Sequence, residues 1–124
     1  MLSRILAITM LVAAAGCGNG SSPSPTTPSP PTTGGTGTTV SIVSGATSKG
    51  SNAYSPNPIT VTHGGSVMWV NNDSITHTST SDNNTWNSGN IGPGASFTFT
   101  FPTAGTFTYH CLIHPGMVGT VTVQ

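Results

Sequence analysis

From residue 40 to the end of the chain, apolar and polar positions alternate in short runs separated by turn-forming residues. The run at 96–101, SFTFTF, is strict: Phe97, Phe99 and Phe101 fall on one face and the intervening threonines on the other. GTFTYHC at 105–111 keeps the same phase, with Phe107, Tyr109 and Cys111 together. Successive side chains of a strand point to opposite faces, so both segments are expected as strands with one buried face. VSIV at 40–43, PITVT at 58–62 and MVGTVTV at 117–123 give shorter forms of the pattern. SVMWVN at 66–71 is apolar on both faces, which predicts a central strand. SPNP at 55–58, HGG at 63–65, SDNN at 81–84, GPG at 92–94 and PTAG at 102–105 supply the turns. No window longer than a turn or two has helical periodicity. The expected fold is all-β, a Greek-key β-sandwich of seven or eight strands over residues 40–124.

The pattern stops before residue 40. Residues 18–39, GNGSSPSPTTPSPPTTGGTGTT, hold no apolar side chain larger than proline and read as a linker, stiff where proline-rich and loose where glycine-rich. Fully extended, its proline-rich half would reach ~3 Å per residue. Residues 1–17 read as a targeting segment: Arg4 precedes the short apolar run ILAITMLVAAAG, which is too short to span a bilayer comfortably and ends in small residues. LVAAAGC resembles a bacterial lipobox, with Ala14 where leucine is favoured, and this implies lipidation at Cys17. The expected location is therefore the cell envelope, with the protein tethered to a membrane and facing the periplasm or the exterior. A bridge between the two cysteines, Cys17 and Cys111, is not expected, because one lies in the leader and the other among histidines.

Charge narrows the function. Among 124 residues only Arg4, Lys49, Asp73 and Asp82 carry formal charge at pH 7. Nucleic-acid binding needs lysine and arginine to meet phosphates, so it is not expected. Two aspartates in apparent loops do not make a convincing acid–base pair, so enzymatic chemistry through carboxylates is not expected either.

The chemistry is concentrated at 109–121, YHCLIHPGMVGTV. Parity puts Cys111 on the core face. Pro115 cannot continue a ladder and Gly116 permits a bend, so a loop leaving at Cys111 and rejoining a strand near Met117 would gather Cys111, His114 and Met117. His77, just after the apolar strand at 66–71, is the candidate for a second histidine. A thiolate, two imidazoles and a thioether suit one copper ion cycling between Cu(I) and Cu(II), and describe a blue-copper electron-transfer centre. Zinc sites do not normally use methionine. His63, in a Gly-Gly turn, and His110, out of phase with Cys111, are expected at the surface.

TFTYHCLIHPGMVGTVTV resembles the C-terminal signature of the cupredoxins, the plastocyanin and amicyanin family of small blue copper proteins, with the short Cys-x-x-His-x-x-Met loop nearest the amicyanin form. The resemblance implies His77, Cys111, His114 and Met117 as copper ligands, the histidines through Nδ1. It also implies an electron carrier, not an enzyme. Thr78 stands where the family often has an asparagine that braces the ligand loops. The residue before the ligand cysteine, here His110, is often an exposed aromatic in that family. Redox partners are expected to dock near His114, against a rim of Ile75, Ile91, Pro93, Ile113 and Pro115, on a monomeric protein. A copper carrier or storage protein is the alternative. A multicopper oxidase is disfavoured, because Leu112 follows Cys111 where such enzymes have a second flanking histidine, and because the chain has four histidines in all.

Overall fold

The computed structural model describes residues 37–124; the leader with Cys17 and residues 18–36 of the linker lie outside the described residues. Eight strands follow in order: β1 Thr38–Ile42, β2 Tyr54–Ser55, β3 Ile59–Val61, β4 Ser66–Asn71, β5 Thr80–Ser81, β6 Ser96–Thr100, β7 Gly105–His110 and β8 Val118–Val123. Two short 3-10 turns, Ala46–Ser48 and Gly50–Asn52, separate β1 from β2. The strands form two four-stranded sheets, ordered β2-β1-β4-β6 and β3-β8-β7-β5. Each sheet is mixed: β1 runs parallel to β4 and β3 parallel to β8, while the other pairings are antiparallel.

The sheets meet through their inward faces. From the first come Val40, Ile42, Val67 and Trp69; from the second come Ile59, Val61, Tyr109, Val121 and Val123, all buried. Trp69 and Tyr109 touch edge to face across the interior, with ring centroids 5.5 Å apart. Burying one large apolar side chain contributes about 1.5–3 kcal/mol, and an aromatic pair of this kind about 0.5–1.5 kcal/mol more. Trp86, from the segment between β5 and β6, enters the same core and stacks on Trp69 at 5.5 Å and on Phe99 at 5.4 Å.

The alternation in β6 and β7 has the expected phase but not uniform depth. Phe101, Tyr109 and Cys111 are fully buried, whereas Phe97, Phe99 and Phe107 are half-buried against the core. β4 is an inner strand, between β1 and β6, yet Met68 on its outer face remains 37 % exposed. Its second apolar face therefore meets solvent and not another layer. The register of β7 on β8 sets Tyr109 opposite Gly119, where a β-carbon would come within 2.2 Å of Tyr109 Cζ. Only glycine leaves room there for the ring two residues before Cys111.

Candidate metal centre

The first donor, His77, is held by the segment that leaves β4. Asn71, buried at the end of that strand, sends its side-chain amide to the carbonyls of Ile75 (2.7 Å) and Ile91 (2.8 Å). Its Oδ1 accepts from the Asp73 amide at 2.9 Å. His77 and Ile91 exchange backbone hydrogen bonds of 3.1 and 2.8 Å. The imidazole is thereby fixed in the interior, with no exposed surface. Its Nε2 lies 2.9 Å from Asp73 Oδ2. Hydrogen bonds from His77 and from the backbone amides of Gly45, Ser74 and Ala46 hold the Asp73 carboxyl far below the usual carboxylate range. Gly45 reaches that carboxylate from a left-handed turn, φ +69°.

The second segment starts where β7 ends. Cys111 is fully buried, and its amide donates to Met117 O at 3.1 Å, while the Met117 amide donates to His114 O at 2.9 Å. Those two bonds close the loop 111–117 on itself around Pro115 and Gly116. Met117 is completely buried at the loop's end, and His114 is half-buried.

Thr78 joins the two segments. Its amide points at Cys111 Sγ, 3.3 Å away, and its hydroxyl oxygen accepts from the Leu112 amide at 2.8 Å. The threonine thus supplies a brace between the loops from the position where the family often has asparagine. The Tyr54 hydroxyl donates to Thr78 O at 2.6 Å. Burial, then the neighbouring Cys111 and Tyr109, pushes that hydroxyl well above its ordinary range, so it stays a donor.

These supports bring three of the four expected donors to one point. Cys111 Sγ lies 3.9 Å from His77 Nδ1 and 3.8 Å from His114 Nδ1, and all three donor atoms lie within 4.8 Å of one another. Bonds of about 2.0 Å to nitrogen and 2.3 Å to sulfur, at tetrahedral to trigonal angles, would set the sulfur about 3.5–3.7 Å from each nitrogen. A single ion of that size fits between them with small adjustments. Both imidazoles offer Nδ1, so one soft thiolate and two borderline nitrogens face the same space, a set suited to copper in both of its oxidation states.

Beside His114 in the chain the surface is apolar: Leu112 is 51 % exposed and Ile113 47 %, with Pro115 also exposed, and Ile75 (42 %) and Pro93 are exposed as well. Ile91 is not part of this rim. It is 2 % exposed, because its backbone pairs with His77 and its side chain turns into the core. Leu112 takes a place in the rim that sequence parity did not assign. His63 is exposed, its Nε2 2.6 Å from Pro102 O. His110 is partly buried and its Nδ1 sits 2.5 Å from Asp82 Oδ1. The two residues that sequence reasoning missed are Asn71 and Asp73. Their only local signal is the Asn-Asn-Asp turn before His77, and the partners that give Asp73 its role, Gly45 and Ala46, lie more than 25 residues away.

Comparison with known proteins agrees with this arrangement. Residues 41–124 match the copper binding proteins of the plastocyanin/azurin family. The chain belongs to that family, and its cofactor is one copper ion. A plastocyanin from Scenedesmus fuscus is 36 % identical, the match covering 60 % of this chain and 90 % of that one. A purple cupredoxin from Nitrosopumilus maritimus superimposes with a TM-score of 0.65 at 31 % identity, covering 70 % of this chain and 99 % of the other. A copper-containing nitrite reductase from Thermus scotoductus shares the fold at a TM-score of 0.58 and 23 % identity; the match covers 70 % of this chain but 22 % of the reductase.

Proposed function

We propose that the protein is a mononuclear type-1 copper protein that shuttles single electrons between redox partners, with His77, Cys111 and His114 as the strong ligands and Met117 as the weak one. The observation that carries this reading is the convergence of one buried thiol and two imidazole Nδ1 atoms, drawn from segments more than thirty residues apart. Bound copper supplies a centre that takes up and gives back one electron. The chain's own residues do the rest. Asn71 fixes the segment that carries His77 and Thr78 ties it to the loop that carries Cys111, so the donors are in place before metal arrives and little has to move afterwards. The core around Cys111 and Met117 excludes water from the sulfur side. His114 brings the site to the surface within the apolar rim, which supports docking of redox partners there by contact and not by charge.

His63 and His110 are each engaged elsewhere, the first with Pro102 O and the second with Asp82, and neither faces the three donors. This supports a carrier over a copper enzyme with a second metal site. A storage or delivery protein would release copper readily; the buried donors argue for slow release. The remainder of the reading rests on the sequence: an exported monomer, held at the envelope through a lipid on Cys17 and a linker that runs up to β1, whose start at Thr38 comes two residues before the expected domain boundary at 40. Among the described residues no helix is long and apolar enough to cross a membrane.

The test is addition of Cu(II) to the purified protein. An intense visible thiolate-to-Cu(II) band is expected, lost completely in Cys111→Ala and slow to disappear under a chelator. A colourless wild-type product would end the electron-carrier reading, and rapid loss of copper to chelator would favour the delivery protein. Loss of lipid labelling in Cys17→Ser would support the anchor.

A further inference from the structure

We infer that Asp73 is a positioning residue for the copper site: its carboxylate fixes His77 as the tautomer with hydrogen on Nε2 and a free lone pair on Nδ1, and its negative charge favours the oxidised site. The inference rests on the ligand assignment proposed above, but the observations behind it are hydrogen bonds of the protein itself. Asp73 Oδ1 accepts from the amides of Gly45 (3.0 Å) and Ser74 (2.8 Å). Oδ2 accepts from the Ala46 amide (3.2 Å) and lies 2.9 Å from His77 Nε2. Backbone amides only donate, and an ionised carboxylate only accepts. A carboxylate facing three amide donors therefore presents an acceptor to the ring, and His77 Nε2 must be the fourth donor. The hydrogen is then absent from Nδ1, the nitrogen that faces Cys111 Sγ.

The ring has no freedom to choose otherwise. It is fully buried, and its backbone is paired on both sides with Ile91. Carboxylate support of a metal-bound imidazole fixes orientation and raises the ring's basicity as a ligand. The charge matters as well. Asp73 is buried at 7 % exposure, and Lys49, the basic side chain among the described residues, is exposed. A buried, unneutralised carboxylate behind one ligand attracts the doubly charged ion more than the singly charged one.

The experiment compares the full chain with Asp73→Asn, a change of almost no volume. The new NH2 must face either the two amides at Oδ1 or the one amide and the ring at Oδ2. The second choice sets only one backbone donor against it and turns His77 Nε2 into an acceptor, so the ring hydrogen moves to Nδ1. Nitrogen-15 spectra of the histidine rings, recorded without metal, are expected to show hydrogen on Nε2 of His77 in wild type and on Nδ1 in Asp73→Asn. Cu(II) affinity should fall at least about tenfold in the variant. Cu(I) affinity should fall less, so the potential should rise by about 59 mV for each tenfold of difference. A wild-type ring protonated on Nδ1 overturns the inference, and so does a folded variant with unchanged Cu(II) affinity and potential. If Asp73→Asn does not fold, the wild-type spectrum alone decides the tautomer. A wild-type protein with no thiolate-to-Cu(II) band would break the ligand assignment instead, and the metal-free spectra distinguish that failure from this one.

Discussion

The described residues contain two aspartate–histidine pairs that stand in different surroundings. Asp73 and His77 meet at 2.9 Å with side chains 5 % and 0 % exposed; Asp82 and His110 meet at 2.5 Å with side chains 47 % and 29 % exposed. By distance alone the second pair looks stronger. Yet it lies in solvent, where exposed ion pairs contribute about 0.2–1 kcal/mol. The first is set among backbone amides from two separate turns, and its ring nitrogen on the far side faces a thiol. Burial and the number of fixed donors, not contact length, separate the pair proposed to organise the copper site from one at the exposed end of a strand.

Breaking the buried pair's scaffold should have the largest effect. Asn71→Ala leaves the Ile75 carbonyl and the Asp73 amide without the Asn71 side chain, and leaves the Ile91 carbonyl with the His77 amide alone. It should cost about 1–3 kcal/mol in chemical denaturation and weaken copper binding together with it. Thr78→Val keeps shape but removes the acceptor of the Leu112 amide, a partly buried bond. A loss of about 1 kcal/mol is expected, with a shift in the visible band because the loop carrying Cys111 and His114 is no longer braced. A denaturation midpoint and spectrum equal to wild type would show that Thr78 is no brace.

Asp82→Asn should do less. The contacts of Asp82 with Thr108 and then His110 lower its carboxyl from the ordinary 3.8. A lowered folded-state value stabilises the protein above pH ~4, and this contribution disappears as pH falls through the folded value. The variant should therefore lose at most about 1 kcal/mol at neutral pH, with the difference from wild type vanishing in acid. A difference that grew with acidity would reverse the sign and refute the pair. Smallest of all for stability is Ile113→Ser in the exposed rim, expected within about 0.5 kcal/mol of wild type. Its effect should appear in the reaction rate with a redox partner, which for an apolar docking face should vary little with salt.

Much of the sandwich could be read from alternation. β6 and β7 run long enough for a period of two to declare itself, and Phe101, Tyr109 and Cys111 take the buried face that their parity gives them. β2 and β5, at two residues each, are too short to carry any period. They exist because Tyr54 and Ser55 pair with β1, and because Thr80 and Ser81 pair with β7. Trp86 sits in a polar stretch, DNNTWNSG, that reads as loop; its burial is decided by the stack it makes with Trp69. The rim shows the same limit. Ile91 and Leu112 are both apolar residues next to turns, and only the pairing of Ile91 with His77 tells which one goes inside.

The site divides along the same line. Cys111, His114 and Met117 lie close together in the chain, and a proline–glycine bend between them leaves few ways to arrange their backbone, which closes through the Cys111–Met117 and Met117–His114 backbone hydrogen bonds. The remaining histidine and its carboxylate could not be settled locally. Which Asx residue of Asn71, Asn72 and Asp73 turns inward depends on amides of Gly45 and Ala46, contributed by the turn that follows β1. Residue types determined which metal chemistry the chain can support. Only the packing of two sheets determined which side chains are buried, and so which charge and which ring nitrogen that chemistry meets. Hydrogen bonds between distant segments have no signature in one stretch of sequence, because neither partner's local preference changes when the other is near.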